Sequence, residues 1–230
     1  MNITIPRRGV TDVAFNIEHV DTLAPERGGR IGGVSLGFPI WQANWQLARD
    51  MLEIHSDEWR SFADRLQGTK RPFVAYDHTR RLPKAYPDGF KTMTTAAGTA
   101  FDGEASAWSQ TIDAEGGAQL ELNGLPAGLV LGAQDYVGFR WDASGSDAGT
   151  HDRRTMVRVL DNAKANAAGT IMLTVQPAVP TLVVPANAAA HLDTPACMMR
   201  VPQGENGLGA VGLLKTISGG TITAVQDLRP

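Results

Sequence analysis

The sequence predicts a mainly β fold with one flanking α-helix. Three observations predict it: short runs of alternating polarity, dense punctuation by 25 Gly and 13 Pro, and a single segment of helical periodicity. Gly accepts positive φ, whereas Pro fixes φ and removes a backbone donor, so together they mark turns between short elements. At 230 residues the chain can bury a sizeable core, as one large β domain or two smaller ones.

The clearest strand covers residues 40–47. Trp41, Ala43, Trp45 and Leu47 share one face, and Gln42, Asn44 and Gln46 share the other. This period of two belongs to a sheet with one buried and one wetted side. Next comes the helix, predicted over 57–67, where Trp59, Phe62, Ala63 and Leu66 recur at i, i+3, i+4 and i+7 as one docking stripe. Ser56 is placed to cap it, Asp57 and Glu58 sit at the positive end of its dipole, and Gly68 offers a left-handed stop. Arg60 and Asp64 form an i,i+4 pair on its outer face. Weaker strands are expected at 73–76, 119–123, 136–141, 155–160 and 170–175. Last, 211–217 and 221–228 flank Gly219-Gly220, a pair suited to a tight hairpin turn.

Composition excludes several classes. Hydrophobic residues at 43% and charged residues at 20% describe a globular chain rather than a disordered one. With 21 basic and 24 acidic side chains the formal charge is −3, without the basic excess of a dedicated nucleic-acid binder. The one cysteine, Cys197, cannot form an internal disulfide. No run approaches the roughly 18 apolar residues of a membrane-spanning helix. The opening residues lack the apolar core of an export signal, so folding inside the producing cell is expected.

Charge is distributed unevenly. Residues 60–84 hold Arg60, Arg65, Lys70, Arg71, Arg80, Arg81 and Lys84 against Asp64 and Asp77, whereas residues 100–152 hold nine acidic side chains and Arg140. The second stretch is also rich in Gly, Ala and Ser, and its 142–152 loop is expected to be mobile. These shifts predict one domain interrupted by another. The outer domain comes from residues 1–88 and 193–230, and the middle one from 89–192.

Candidate chemistry is sparse. Gly33-Val34-Ser35-Leu36-Gly37 spells the G-x-S-x-G of a nucleophile elbow, but an elbow needs a helix directly after the Ser, and here Pro39 and a strand follow. His19, His55, His78, His151 and His191 show no metal-ligand spacing, and Cys197 has no second Cys nearby. A calcium loop at 142–152 fails because Asp147 stands at its turn glycine and Arg153 at its bidentate Glu. The basic 60–84 stretch, interleaved with Phe73, Tyr76 and Tyr86, fits a solvated face or a subunit interface better than a single-stranded nucleic-acid groove. Trp108, Tyr136 and Trp141 either stack on sugar rings or fill a barrel core; core packing is expected for at least one of them, and sequence alone does not sort them.

One set of residues carries a family likeness. It runs from the loop Gly28-Gly29-Arg30-Ile31-Gly32-Gly33 through the strand at 39–47, Asp57-Glu58-Trp59-Arg60-Ser61-Phe62 and Arg71-Pro72-Phe73-Val74-Ala75-Tyr76-Asp77. It continues in Leu125-Pro126-Ala127-Gly128-Leu129, Gly138-Phe139-Arg140 and Pro195-Ala196-Cys197-Met198-Met199-Arg200. In this order the chain resembles the distal tail proteins of long-tailed bacteriophages and gene transfer agents. The likeness spans nearly the whole chain and rests on spacing, not on a catalytic signature.

The resemblance implies a tail-tube-like β-sandwich or barrel with one flanking helix, interrupted at 89–192 by a smaller OB-like barrel. It implies a structural virion protein, not an enzyme, that needs no cofactor or metal and forms a six-fold ring in the virion tail. Its partners would be copies of itself, the tail-tube protein on one side and a baseplate hub or tail-tip protein on the other. DNA would pass through the lumen without specific binding, so a continuous lumenal ring of Arg and Lys is not expected. The glycine-rich loop within 23–37, including Gly28 to Gly33, is expected to reach across the subunit boundary, gaining order from main-chain bonds to a neighbour. Three rivals stand beside this reading: the tail-tube protein of the same system, a carbohydrate-binding module presenting Trp108, Tyr136 and Trp141, and, last, a serine hydrolase using Ser35.

Overall fold

Alternation of polarity becomes strand pairing in seventeen strands among the described residues. A computed structural model describes residues 3–25, 31–35, 37–114, 116–142, 153–209 and 219–228. The first strands are β1 (Ile3–Thr4), β2 (Val10–Glu18), β3 (Asp21–Pro25), β4 (Ile31–Ser35) and β5 (Ile40–Leu47). Helix α1 (Glu53–Leu66) and β6 (Phe73–Tyr76) follow. A long connection with turns but no strand then leads to β7 (Ala107–Ile112), β8 (Ala118–Asn123), β9 (Val130–Leu131), β10 (Tyr136–Trp141) and β11 (Arg153–Val159). The chain continues through β12 (Ala163–Lys164), β13 (Ile171–Gln176) and β14 (Ala189–His191). It ends with β15 (Ala196–Arg200), β16 (Asn206–Leu208) and β17 (Gly220–Gln226). The fold is mainly β, and α1 is the one helix among the described residues.

Two large sheets divide these strands. The first has seven, in the order β1-β6-β15-β17-β5-β2, with β16 also pairing β17. Only β1 and β6 run parallel in it. The second has six, ordered β14-β10-β11-β13-β8-β7, all antiparallel. The first sheet takes β1, β2, β5 and β6 from before residue 77 and β15, β16 and β17 from after residue 195. The second takes β7, β8, β10, β11, β13 and β14, while β3 with β4 and β9 with β12 form two separate two-stranded sheets. Trp45 of β5 lies opposite Ile222 of β17, so the two ends of the chain share one ladder.

Each sheet has its own apolar core. In the first, edge-to-face rings run from Phe15 to Trp45 (5.5 Å), from Phe62 to Phe73 (5.1 Å) and from Trp59 to Phe62 (5.7 Å). Such geometry sets the positive ring edge on the negative face of the next ring. These contacts dock α1 on the sheet, and the Trp59 indole N–H donates to the Arg8 carbonyl (2.7 Å), tying down the segment between β1 and β2. Leu120, Leu122, Leu125, Leu129, Leu131, Phe139 and Leu173 fill the second core. Gly138 of β10 permits the close crossing between them: a Cβ there would lie 2.7 Å from the His191 ring and 2.9 Å from Pro195 Cα.

Three local expectations need correction. The helix begins at Glu53, four residues before Asp57, because Ser56 belongs to the buried stripe with Trp59, Phe62 and Leu66. Its amide bonds the Leu52 carbonyl at 3.0 Å, and no side chain caps the helix. The left-handed stop falls first on Gln67 (φ 52°), ahead of Gly68 (φ 68°). Arg60 donates to the Gly209 carbonyl (2.9 Å), and among the described residues no ion pair joins it to Asp64. Gly219-Gly220 is not a two-residue turn either. Gly220 is already in register with Leu208, and the Gly209 amide bonds the Gly219 carbonyl at 2.8 Å. The strand expected at 211–217 lies outside the described residues.

The core predicts its own sensitivity. Phe62 and Trp45 are buried at 4% and 0% exposure, so Phe62→Ala or Trp45→Ala should cost about 3–5 kcal/mol of stability. Urea unfolding measures this, and an unchanged midpoint would show that the helix does not depend on this packing.

Candidate functional site

The seven-stranded sheet has an unusual wetted face. Opposite the tryptophan side, β5 presents Gln42, Asn44 and Gln46, flanked in register by Asn16, Ala14 and Asp12 of β2 and by Val225, Thr223 and Thr221 of β17. Asn44 Nδ2 donates to Thr223 Oγ1 (3.1 Å), and Thr221 Oγ1 donates to Gln46 Oε1 (2.8 Å). The face is therefore a lattice of amides and hydroxyls. Asp12 and Glu18 are its charges within these three strands, none of which contains Lys or Arg. A shallow groove of about 390 Å³ crosses it at Asn16, Gln42, Asn44 and Thr223.

Both edges of this sheet are unpaired among the described residues, and they differ. At one, β2 offers nine residues with an irregularity at Thr11, whose hydroxyl donates to the Gln46 carbonyl (3.1 Å). At the other, β1 borders a groove of about 660 Å³ shared with Ile54, Asp57 and Phe62 of α1. Ile54 in its lining and Leu52 two residues earlier are 71% and 67% exposed. A free strand edge carries unused N–H and C=O groups and is a template for another strand.

A polar joint holds the second sheet to the first. The Arg158 guanidinium of β11 lies over Trp41 (4.8 Å to the ring centre) and beside Tyr136 (5.5 Å), and it donates to the Phe15 carbonyl and to the Tyr136 hydroxyl (3.2 Å). Tyr136 in turn donates to Asp77 Oδ2 (3.1 Å). Burial, and then the Asp77 carboxylate, push the Tyr136 phenol above its ordinary value, while Arg158 opposes them. The Trp41 indole donates to the Met156 carbonyl (2.7 Å). Gln226 accepts from the Trp41 amide (3.1 Å) and donates to Thr155 (2.8 Å). Arg158 Nε is buried without a partner among the described residues, and the other polar atoms named here pair with one another, as a buried network requires.

The residues singled out from sequence fall in separate places. Tyr136 and Trp141 are 5% and 6% exposed, so neither offers the open ring face that sugar stacking needs. Trp108 is half-buried, packs edge-on against Phe139 (4.9 Å) and gives its indole N–H to the Ala188 carbonyl (2.8 Å). The three rings form no common platform. Ile31, Gly32 and Gly33 lie in β4 and pair with Pro25, Ala24 and Leu23 of β3, so this part of the loop is a hairpin by itself, joined to neither large sheet. Gly28, Gly29 and Arg30 lie outside the described residues, as do His151 and most of the 142–152 loop.

Ser35 closes β4, and the next described element is the strand β5, which is not the strand–turn–helix of an elbow. Among the described residues no three His, Cys, Asp or Glu side chains converge. Cys197 is fully buried, and burial pushes its thiol well up, away from reactive thiolate. No protein-family model matches this chain, and no curated protein matches it significantly.

Sequence reasoning missed the joint. One signal for it was present: Gln226 follows Ile222 and Ala224 on the buried parity of β17, and a polar residue there must find partners. Arg158, set within the apolar run of β11, is a second signal of the same kind.

Acid sensitivity follows from the residue beside Asp77. His78 bonds the Pro6 carbonyl through Nε2 (2.9 Å) and lies against Tyr76. Burial lowers its pKa, outweighing the Pro6 bond and Asp77, which raise it, and Arg81 and Arg7 lower it further. The folded state therefore takes up the His78 proton less readily than the unfolded chain. Stability should be complete above about pH 6.5 and decline as pH falls below it. His78→Gln should flatten this part of the melting-temperature profile, and an unchanged slope would assign it to other groups.

Proposed function

We propose that this chain is a structural tail protein of the bacteriophage or gene-transfer-agent type, a ring that joins a tail tube to a baseplate or tail tip. The observation that carries the reading is the first sheet: two unlike open edges, a charge-poor amide-and-hydroxyl face between them, and a helix closing the other side. Unlike edges meeting head to tail make a heterologous contact, which gives a closed ring when the rotation closes. The β1 edge, its groove and the exposed Leu52 and Ile54 supply one surface, and the long β2 edge supplies the other.

The wetted face suits the wall of a DNA conduit. Each phosphate neutralised by Lys or Arg adds salt-dependent affinity, and a wall that grips would impede transit. Amides and hydroxyls with the carboxylates of Asp12, Glu18 and Glu205 wet this surface without that grip, and Arg200, on the same side of the neighbouring β15, is ion-paired to Asp227. Residues 1–88 and 193–230 form the tail-tube-like ring unit in this reading, and 89–192 an inserted OB-like barrel. The β3–β4 hairpin, too small to be stable alone, serves as an arm that gains its order from a neighbouring copy.

Light scattering on the purified protein, followed by negative-stain imaging, tests this directly. The expected result is a closed ring, with six copies implied by the family likeness. Long stacked tubes would assign the chain to the tube itself, and a monomer at every concentration would overturn the proposal. Retention on duplex DNA at physiological salt would contradict the conduit role.

A further inference from the structure

Four cationic side chains border one groove whose lining contains no Asp or Glu. Arg7, from the segment after β1, and Arg80, Arg81 and Lys84, from the connection after β6, border a cleft of about 550 Å³ together with His78 and Thr79. The volume lies within the range of small-ligand sites. Arg7 and Lys84 are exposed, whereas Arg80 and Arg81 are half-buried. The Arg7 and Arg80 side chains make no hydrogen bond or ion pair among the described residues. Lys84 Nζ reaches only the Ala133 carbonyl (3.3 Å), and Arg81 leans on the Tyr76 ring and Thr194 Oγ1 (3.3 Å).

The nearby carboxylates are already committed. Asp77 accepts from the Thr79 amide (2.8 Å), the Thr79 hydroxyl (2.6 Å) and Tyr136. Asp135, 1% exposed, accepts from the Lys84 and Gly132 amides (3.2 and 2.7 Å). Two guanidinium nitrogens of the lining residues, Arg80 Nη1 and Arg81 Nε, are buried and have no partner among the described residues. A buried donor without an acceptor costs stability, and like charges held together add to the cost.

The backbone nevertheless keeps them together. The Arg80 amide bonds the Asp77 carbonyl (3.2 Å), the Arg81 carbonyl accepts from the Thr194 amide (2.6 Å), and the Tyr86 amide bonds the Pro83 carbonyl (2.9 Å). Pro83 and Pro87 stiffen the same turn. The backbone that carries Arg80, Arg81 and Lys84 is thus set before any ligand arrives, which lowers the ordering cost of binding.

We propose that this groove is an oxyanion site for a terminal phosphate or pyrophosphate group, with Arg7, Arg80, Arg81 and Lys84 as its ligands. Two guanidinium forks match phosphate oxygens in bidentate geometry, and four positive charges suit a group carrying two or more negative ones better than a single carboxylate. The site stands apart from the wetted sheet face and does not depend on ring assembly.

Titration calorimetry with inorganic pyrophosphate on the full chain tests it, with Arg80→Gln and Arg7→Gln as variants at side chains that make no hydrogen bond or ion pair among the described residues. The expected result is saturable binding in the wild type, weakened about tenfold or more in each variant at unchanged melting temperature. No saturation by the millimolar range, or binding that ignores both substitutions, would overturn the site. Citrate binding as tightly as pyrophosphate would overturn the phosphate assignment. An oligonucleotide lacking a terminal phosphate and binding equally well would replace it with a polymer-backbone groove.

Discussion

The cation of Arg158, held between Trp41 and Tyr136, is the contact on which the rest of the molecule depends. It joins β11 of the second sheet to β5 and β2 of the first through the Trp41 ring face and the Phe15 carbonyl, and it is braced by the Tyr136 hydroxyl of its own sheet. A desolvated cation–π contact is worth about 2 kcal/mol or more, and its geometry also fixes position. Around it, Trp41 bonds the Met156 backbone and Gln226 spans to Thr155. Two apolar cores alone would leave the sheets free to slide. The hydrogen bonds set one register between them.

That joint gives the open sheet its rigidity. A seven-stranded sheet with free edges on both sides twists and flexes unless something covers one face. Here α1 covers part of the tryptophan face, and the Tyr136 and Met156 side of β10 and β11 covers another part. The opposite face stays wet, and the edges stay open. A protomer built for assembly needs this division, with one face sealed inside the chain and the rest left for neighbours. The ring proposed for this protein uses the division, and the phosphate groove adds a second surface on the connection between the two sheets.

Much of the fold was legible in the sequence, and for a local reason. Strands 40–47, 73–76 and 136–141 declare themselves because alternation or a short apolar run between turn residues is a property of consecutive residues. The helix was legible in its apolar stripe but not at its start, because Ser56 serves as a small buried residue where its type signals a cap. The hairpin at Gly219-Gly220 misled for a similar reason: two glycines permit a turn, but their pairing to Leu208 and Leu47 is a tertiary matter. The joint was the least legible part. Trp41 meets residues 115 and 185 positions away, and no periodicity reports a contact across such a distance. Tyr136 and Trp141, weighed between sugar stacking and core packing, are buried by the first and second cores respectively, through contacts that no local pattern reports.

Native-state hydrogen exchange on the wild type and on Arg158→Met tests this account most directly. If the joint couples the sheets, slow amides of β5 and β17 and slow amides of β10 and β11 will lose protection together in the variant, by similar free energies. Loss confined to one sheet, with the other unchanged, would contradict it: the two sheets would then be independent units that merely touch.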